Sequence, residues 1–174
     1  MIKLKNLLTE LYVINIDDVR DNKEVKTSID TIGFNKTNQL VNEIVNNLLK
    51  LNGVSCYRII SIPNNIDPVK LNKLGIHWSL DRESCIKFMK DEDEFHIYEN
   101  DVLCLYKAKI SINHINFEET IEKKFWYINE KTENIEKEVT MKENSNIFVY
   151  ECYKWNQHDP ISTIPLSIND YRVC

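Results

Sequence analysis

The hydrophobic period of the chain changes abruptly near residue 53, and that switch limits the folds open to it. Leu40, Val41, Ile44, Val45, Leu48 and Leu49 recur at helical spacing and predict an amphipathic helix over residues 38–51. Thr37 or Asn38 is the expected start cap, and Gly53 the expected left-handed stop. Residues 54–62 are then β-branched and aromatic, the pattern of a strand, which Pro63-Asn64-Asn65 ends. A helical stripe and a pleated face must therefore be buried within one fold.

The remaining segments repeat this mixture. Leu4, Leu7, Leu8 and Leu11 predict a short helix over 2–12, and the charged stretch 17–26, without periodicity, reads as a loop. A turn after Asp67-Pro68 leads to Gly75 and a brief extended piece, 76–80. Asp81 is placed to cap a helix running to about 89, with Cys85, Ile86, Phe88 and Met89 on its apolar side. The acidic run 91–99 reads as a solvated loop. A long strand is expected over 102–112 and a helix over 117–126, its end blurred by Phe125-Trp126-Tyr127. Strands over 138–141 and 147–155 flank a Lys-Glu-Asn-Ser turn, and the tail, with Pro160 and Pro165, closes with an edge strand near Tyr171. Helices first, then strands with helical insertions, predict an α+β architecture instead of regular βαβ alternation. A length of 174 residues suits one domain, divided into a helical part (1–53), a core (54–155) and a tail (156–174).

Composition removes several functions. A net charge of −5 weighs against general nucleic-acid binding, which favours a basic stripe. Cys56, Cys85, Cys104, Cys152 and Cys174 are odd in number and scattered, which fits a reducing cytosol, and none forms a zinc-like pair. His77, His96, His114 and His158 stand far apart, so no metal is expected. No apolar run approaches membrane-spanning length, and neither a signal peptide nor an anchor is read, so a cytoplasmic protein is expected. Abundant Asn, Lys and Ile with little Gly points to an AT-rich genome, such as a low-GC bacterium or its phage. Rossmann, P-loop and nucleophile-elbow signatures are absent.

Three local features carry chemistry. Tyr57-Arg58 places an arginine at the centre of an apolar strand, which is costly to bury unless an anion or carboxylate meets it. Residues 75–81 read Gly-Ile-His-Trp-Ser-Leu-Asp, a glycine-led turn into a strand and then a helix. Glu136-Lys137-Glu138 enters a strand with two carboxylates on one face and the lysine turned away. Such a pair can divide roles, one stabilising positive charge and the other activating an acceptor. Each feature also has a structural reading: Arg58 bridging to a carboxylate, Ser79 capping the following helix, Glu-Lys-Glu as a surface trio.

In that order, Arg58, then Ser79, then Glu136-Lys137-Glu138, the chain resembles the mono-ADP-ribosyltransferases of the arginine–serine–glutamate signature. These include ADP-ribosylating bacterial toxins and the related domains of phage polyvalent proteins. Tyr57-Arg58 is similar to their first-strand arginine, and Ser79 falls on the third residue of their Ser-Thr-Ser strand, with Cys85 on the small helix position that follows. Glu136-Lys137-Glu138-Val139 is similar to their Glu-x-Glu. The likeness covers roughly residues 54–155 and departs from the pattern at His77 and Trp78, which stand where the family carries the first serine and the threonine.

The resemblance implies split mixed or antiparallel sheets with N-terminal helices packed against them. It implies an enzyme that takes NAD as substrate, with no metal, and passes ADP-ribose to a protein or other macromolecular acceptor, commonly an arginine, releasing nicotinamide. Arg58 would grip the NAD phosphates and Ser79 brace the site, with Tyr57, His77 and Trp78 beside them. Glu138 would hold the nicotinamide ribose and stabilise its oxocarbenium-like centre, while Glu136 orients or deprotonates the acceptor. Trp78 or the aromatic run 125–127 would stack on nicotinamide. Histidine at position 77 can donate the hydrogen bond of the missing serine. It equally motivates an alternative, an inactive module of the same fold that binds NAD, another nucleotide or a protein partner. A third reading is an interaction protein in which these features are incidental.

Overall fold

The computed structural model describes residues 16–90, 101–130, 137–156, 159–164 and 170–173. In chain order the elements are α1 (Ile16–Val19), α2 (Lys23–Ile32), α3 (Phe34–Leu49), β1 (Ser55–Pro63), β2 (His77–Ser79), α4 (Arg82–Lys90), β3 (Asp101–Lys109), α5 (Phe117–Glu130), β4 (Glu138–Thr140), β5 (Asn146–Asn156), β6 (Asp159–Ile164) and β7 (Asp170–Val173). Single 3-10 turns lie at Pro68–Lys70 and Ile112–His114. The fold is α+β, as the alternation of periods requires. The chain divides into two compact units, Met1–Lys50 with Phe117–Glu133, and Leu51–Asn116 with Asn134–Cys174.

The first unit is helical. Ile16, Val19, Val25, Val41, Val45, Ile121 and Phe125 form its buried cluster, with Ile29, Leu40, Ile44 and Leu49 packed against it. The stretch 17–26, expected to be a loop, is α1 and the start of α2. Ile16 and Val19, then Val25 and Ser28, turn a narrow apolar stripe inward while Asp17 and Arg20 stay in solvent. A stripe that narrow is hard to see among so many charges, and burial against α3 and α5 stabilises it. α3 begins at Phe34, four residues before the expected start. Gly33, at φ +87°, joins α2 to α3: its N–H donates to the Ile29 carbonyl, and its own carbonyl accepts from the Thr37 N–H. Thr37 is therefore a buried helical residue rather than a cap, and its hydroxyl lies 3.1 Å from Ser28 Oγ. The helix closes at Leu49, and Gly53 instead donates to the Ile110 carbonyl beside the start of β1. The expected helix over 2–12 and the acidic run 91–99 lie outside the described residues.

The second unit is built on an antiparallel sheet in the order β4-β2-β1-β3-β5-β6, with β7 also paired to β5. β1 and β3 pair along their whole length, from Ser55 opposite Lys109 to Pro63 opposite Asp101. The sheet is continuous and antiparallel where split sheets were expected, yet β1 and β2 share one register pair, Tyr57 with Ser79. β5 carries a bulge: Lys107 faces Glu151 and Ala108 faces Val149, which leaves Tyr150 as the extra residue. β6 was not expected because Pro160 lies in it; it forms one end of the strand order, where a missing N–H is tolerated. Cys56, Trp78, Cys104, Tyr106, Ala108, Val139 and Cys152 form the buried face of these strands. On the opposite face α4 packs Ile86 against Leu103 and Ile59.

Candidate functional site

β2 is positioned from both ends. At its start Gly75 sits at φ +78°, a conformation that favours glycine, and a Cβ there would come within 2.7 Å of Arg58 Nη2 and push that guanidinium aside. At its end Ser79 Oγ donates to the Asp81 carbonyl at 2.8 Å and accepts from the Asp81 N–H at 3.1 Å. Asp81 in turn caps α4 as expected, its Oδ2 accepting from the Ser84 N–H at 3.1 Å and the Ser84 hydroxyl at 2.7 Å. These two bonds, against the opposing effect of burial and with a smaller contribution from Lys137, hold the Asp81 carboxyl below its ordinary range.

β4 lies beside β2 with His77 opposite Thr140, Trp78 opposite Val139 and Ser79 opposite Glu138. Leu80 N–H to Lys137 O and Met141 N–H to Ile76 O extend this ladder at each end. Across its diagonal His77 Nδ1 stands 2.8 Å from Glu138 Oε1. The histidine is half exposed, at 41%, and the carboxylate mostly covered, at 16%. A ring N–H thus orients the Glu138 carboxylate.

The register extends this site across the sheet. Glu138, Ser79, Tyr57, Lys107 and Glu151 occupy successive paired positions on β4, β2, β1, β3 and β5. Directly opposed residues of antiparallel strands project from the same face, so these side chains form one row. Lys107 Nζ reaches Glu151 Oε1 at 3.3 Å and lies 5.9 Å from the Tyr57 ring centroid and 5.1 Å from that of Tyr150. Tyr153 Oη also donates to Glu151 Oε2, which pushes the phenol above its ordinary range. Burial opposes the charge on Lys107, but hydrogen bonds to Tyr150 and Glu151 outweigh it and hold the ammonium above its ordinary range.

The expected residues separate accordingly. His77, Ser79, Tyr57 and Glu138 come together. Arg58 is paired with Tyr106 on the buried face, and its Nη1 donates to the His77 carbonyl. The strand pleat therefore places Arg58 opposite the row, where it supports the backbone of His77. Trp78 is 1% exposed, with Nε1 donating to Gly75 O, so its ring belongs to the core and offers no open face for stacking. Of the other stacking candidates, Phe125 is buried in the helical unit and Trp126 is exposed; the Tyr127 side chain, like Glu136, lies outside the described residues. Lys107 and Glu151 were missed. Two lysines at alternate positions of the strand, 107 and 109, were a visible signal, but only the register reveals which of them faces Tyr57.

Among the described residues no cluster of His, Cys, Asp and Glu could hold a metal ion, and no helix is long and apolar enough to cross a membrane. No family model, curated protein or solved structure matches the chain.

Proposed function

We propose that the chain is an ADP-ribosyltransferase that cleaves the nicotinamide–ribose bond of NAD and passes ADP-ribose to a macromolecular acceptor in the cytoplasm, a protein arginine being the first to try. One observation carries the reading: β1, β2 and β4, the three strands that bear the signature, are neighbours in the sheet, and His77 Nδ1 meets Glu138 at 2.8 Å. Segments so far apart in sequence need not have become adjacent. As the glycosidic bond breaks, its electron pair leaves with nicotinamide and positive charge develops on the ribose. A carboxylate fixed beside that carbon stabilises the charge without reorganising. His77 fixes Glu138, Arg58 fixes the carbonyl of His77, and the acceptor nitrogen then bonds to the ribose carbon and gives up its proton, a role for Glu136.

A second reading is favoured by the Ser79 hydroxyl, which is taken up in the turn before α4, and by Arg58 on the buried face. In that reading the same site binds a nucleotide without turning it over. Nicotinamide release from NAD separates the two. Wild-type protein should release nicotinamide, and Glu138→Gln should lower the rate at least about 100-fold while leaving the fold intact. Absence of release from wild-type protein that still binds NAD in calorimetry would select the binding module.

A further inference from the structure

The signature arginine faces the core, so an anionic substrate needs another cation on the face that carries Glu138. Lys107 is that cation by register. It is three strands from Glu138 in the same row, and its side chain is 24% exposed, enough to be reached yet mostly desolvated. Its ammonium is kept in place by Glu151 on one side and by the rings of Tyr57 and Tyr150 on the other. Glu151 is itself held by Tyr153, and Tyr150 by Ser55, whose Oγ is 2.7 Å from the phenolic oxygen. A lysine anchored from so many directions has lost most of its rotamer freedom before any ligand arrives, which lowers the cost of binding.

We propose that Lys107 is the phosphate-binding cation of this site and Tyr57 the floor between it and Glu138, so that a nucleoside diphosphate group lies along the row with its diphosphate at Lys107. The inference rests on the reading of Glu138 as the carboxylate that meets the ribose. Neighbouring strands are about 4.8 Å apart, so Tyr57 lies roughly 10 Å across the sheet from Glu138. Lys107, one strand further, lies roughly 14 Å across the sheet from Glu138 by the same spacing, with its ammonium 5.9 Å from the Tyr57 ring centroid. Glu151 sets the position of Lys107 and does not itself touch the ligand.

Calorimetry with ADP-ribose, beside nicotinamide release from NAD, tests this. Lys107→Met keeps the aliphatic stem over the rings and should weaken ADP-ribose binding at least about tenfold, whereas Lys107→Arg should stay within about threefold of wild type. Glu151→Gln keeps the ammonium but loosens its position, so it should weaken binding less than Lys107→Met does. Lys107→Met leaves a half-buried carboxylate uncompensated, so the double variant Lys107→Met/Glu151→Gln serves as the folded control and should show the same loss. Wild-type affinity in that double variant, or no ADP-ribose binding by wild-type protein, would overturn the proposal. Lys107-dependent binding without nicotinamide release would sink the transferase reading and leave the phosphate site standing. Release that depends on Glu138 but is indifferent to Lys107 would do the reverse.

Discussion

Gly75 and Arg58 show how closely the site depends on single residues. The guanidinium occupies the space that a Cβ on residue 75 would need, with Nη2 at 2.7 Å and Cζ at 3.1 Å from that position, and the backbone there is at φ +78°. Gly75→Ala therefore meets both backbone strain and a clash, and should cost about 1–3 kcal/mol in urea unfolding. The clash is with the far end of a flexible side chain, so Arg58→Ala should relieve part of it. A double-mutant cycle should then give a combined cost smaller than the sum of the single ones, and strict additivity would show that the guanidinium is not there. Arg58 was legible in the sequence as a strand-centre cation that needs a partner; its partner is the carbonyl of His77, and the alternation along β1 turns it away from Glu138. Ser79 was legible both as a site residue and as a cap. It lies opposite Glu138 in the ladder while its hydroxyl serves the turn at Asp81. His77, read as a departure from the pattern, is the residue that contacts the carboxylate. Which atom meets which depended on the diagonal of a short ladder, and no single-residue signal encodes that.

At the scale of elements, α4 links sequence to site most directly, because the same turn ends β2 and begins the helix. Asp81 accepts two hydrogen bonds from Ser84, and its loss in Asp81→Ala should cost about 1 kcal/mol, the usual value of such a cap. Its carboxyl is held below its ordinary range in the folded protein, so the unfolded chain takes up the proton more readily. The contribution is then complete above the unfolded value, near 4, and is lost as the pH falls through the lower folded value. With the side chain 34% exposed, solvent screening keeps the effect small. Stability measured from pH 6 down to pH 3 should fall less steeply in Asp81→Asn, which keeps an acceptor but cannot titrate. Equal slopes for the two proteins would mean that the cap is not ionic. α4 was readable because Asp81, a glycine-led turn and an apolar side all agreed. α1 and the start of α2 were not, since Ile16, Val19 and Val25 contribute too few apolar positions among the charges to reveal a period. β6 was hidden by Pro160, which an edge strand accommodates.

For the whole molecule, the class was legible from the period switch near Gly53, but the arrangement was not. That β4 lies beside β2, and β3 between β1 and β5, follows from pairings between residues far apart in the chain, and a one-residue slip would have moved Lys107 to the other face. The assignment of α5 is also non-local: Phe117–Glu133 joins the helical unit although the chain on either side of it belongs to the sheet. Ile121 and Phe125 are 0% exposed in the cluster formed with Val25, Val41 and Val45, so the helical core is completed by a segment remote from its other helices. Phe125→Ala removes the largest side chain of that cluster and should cost about 3–5 kcal/mol, the transfer term plus the cavity it leaves. The loss should be local in character. Native-state hydrogen exchange should show protection falling first in α2, α3 and α5, because their amides are protected by the packing that the variant removes. The amides of β1, β3 and β5 are secured by long ladders around Leu105, Tyr106 and Cys152, which belong to the other unit, and should retain more of their protection. Equal loss throughout would mean that the two units open as one cooperative structure, and that the helical core sets the stability of the strands carrying Glu138 and Lys107.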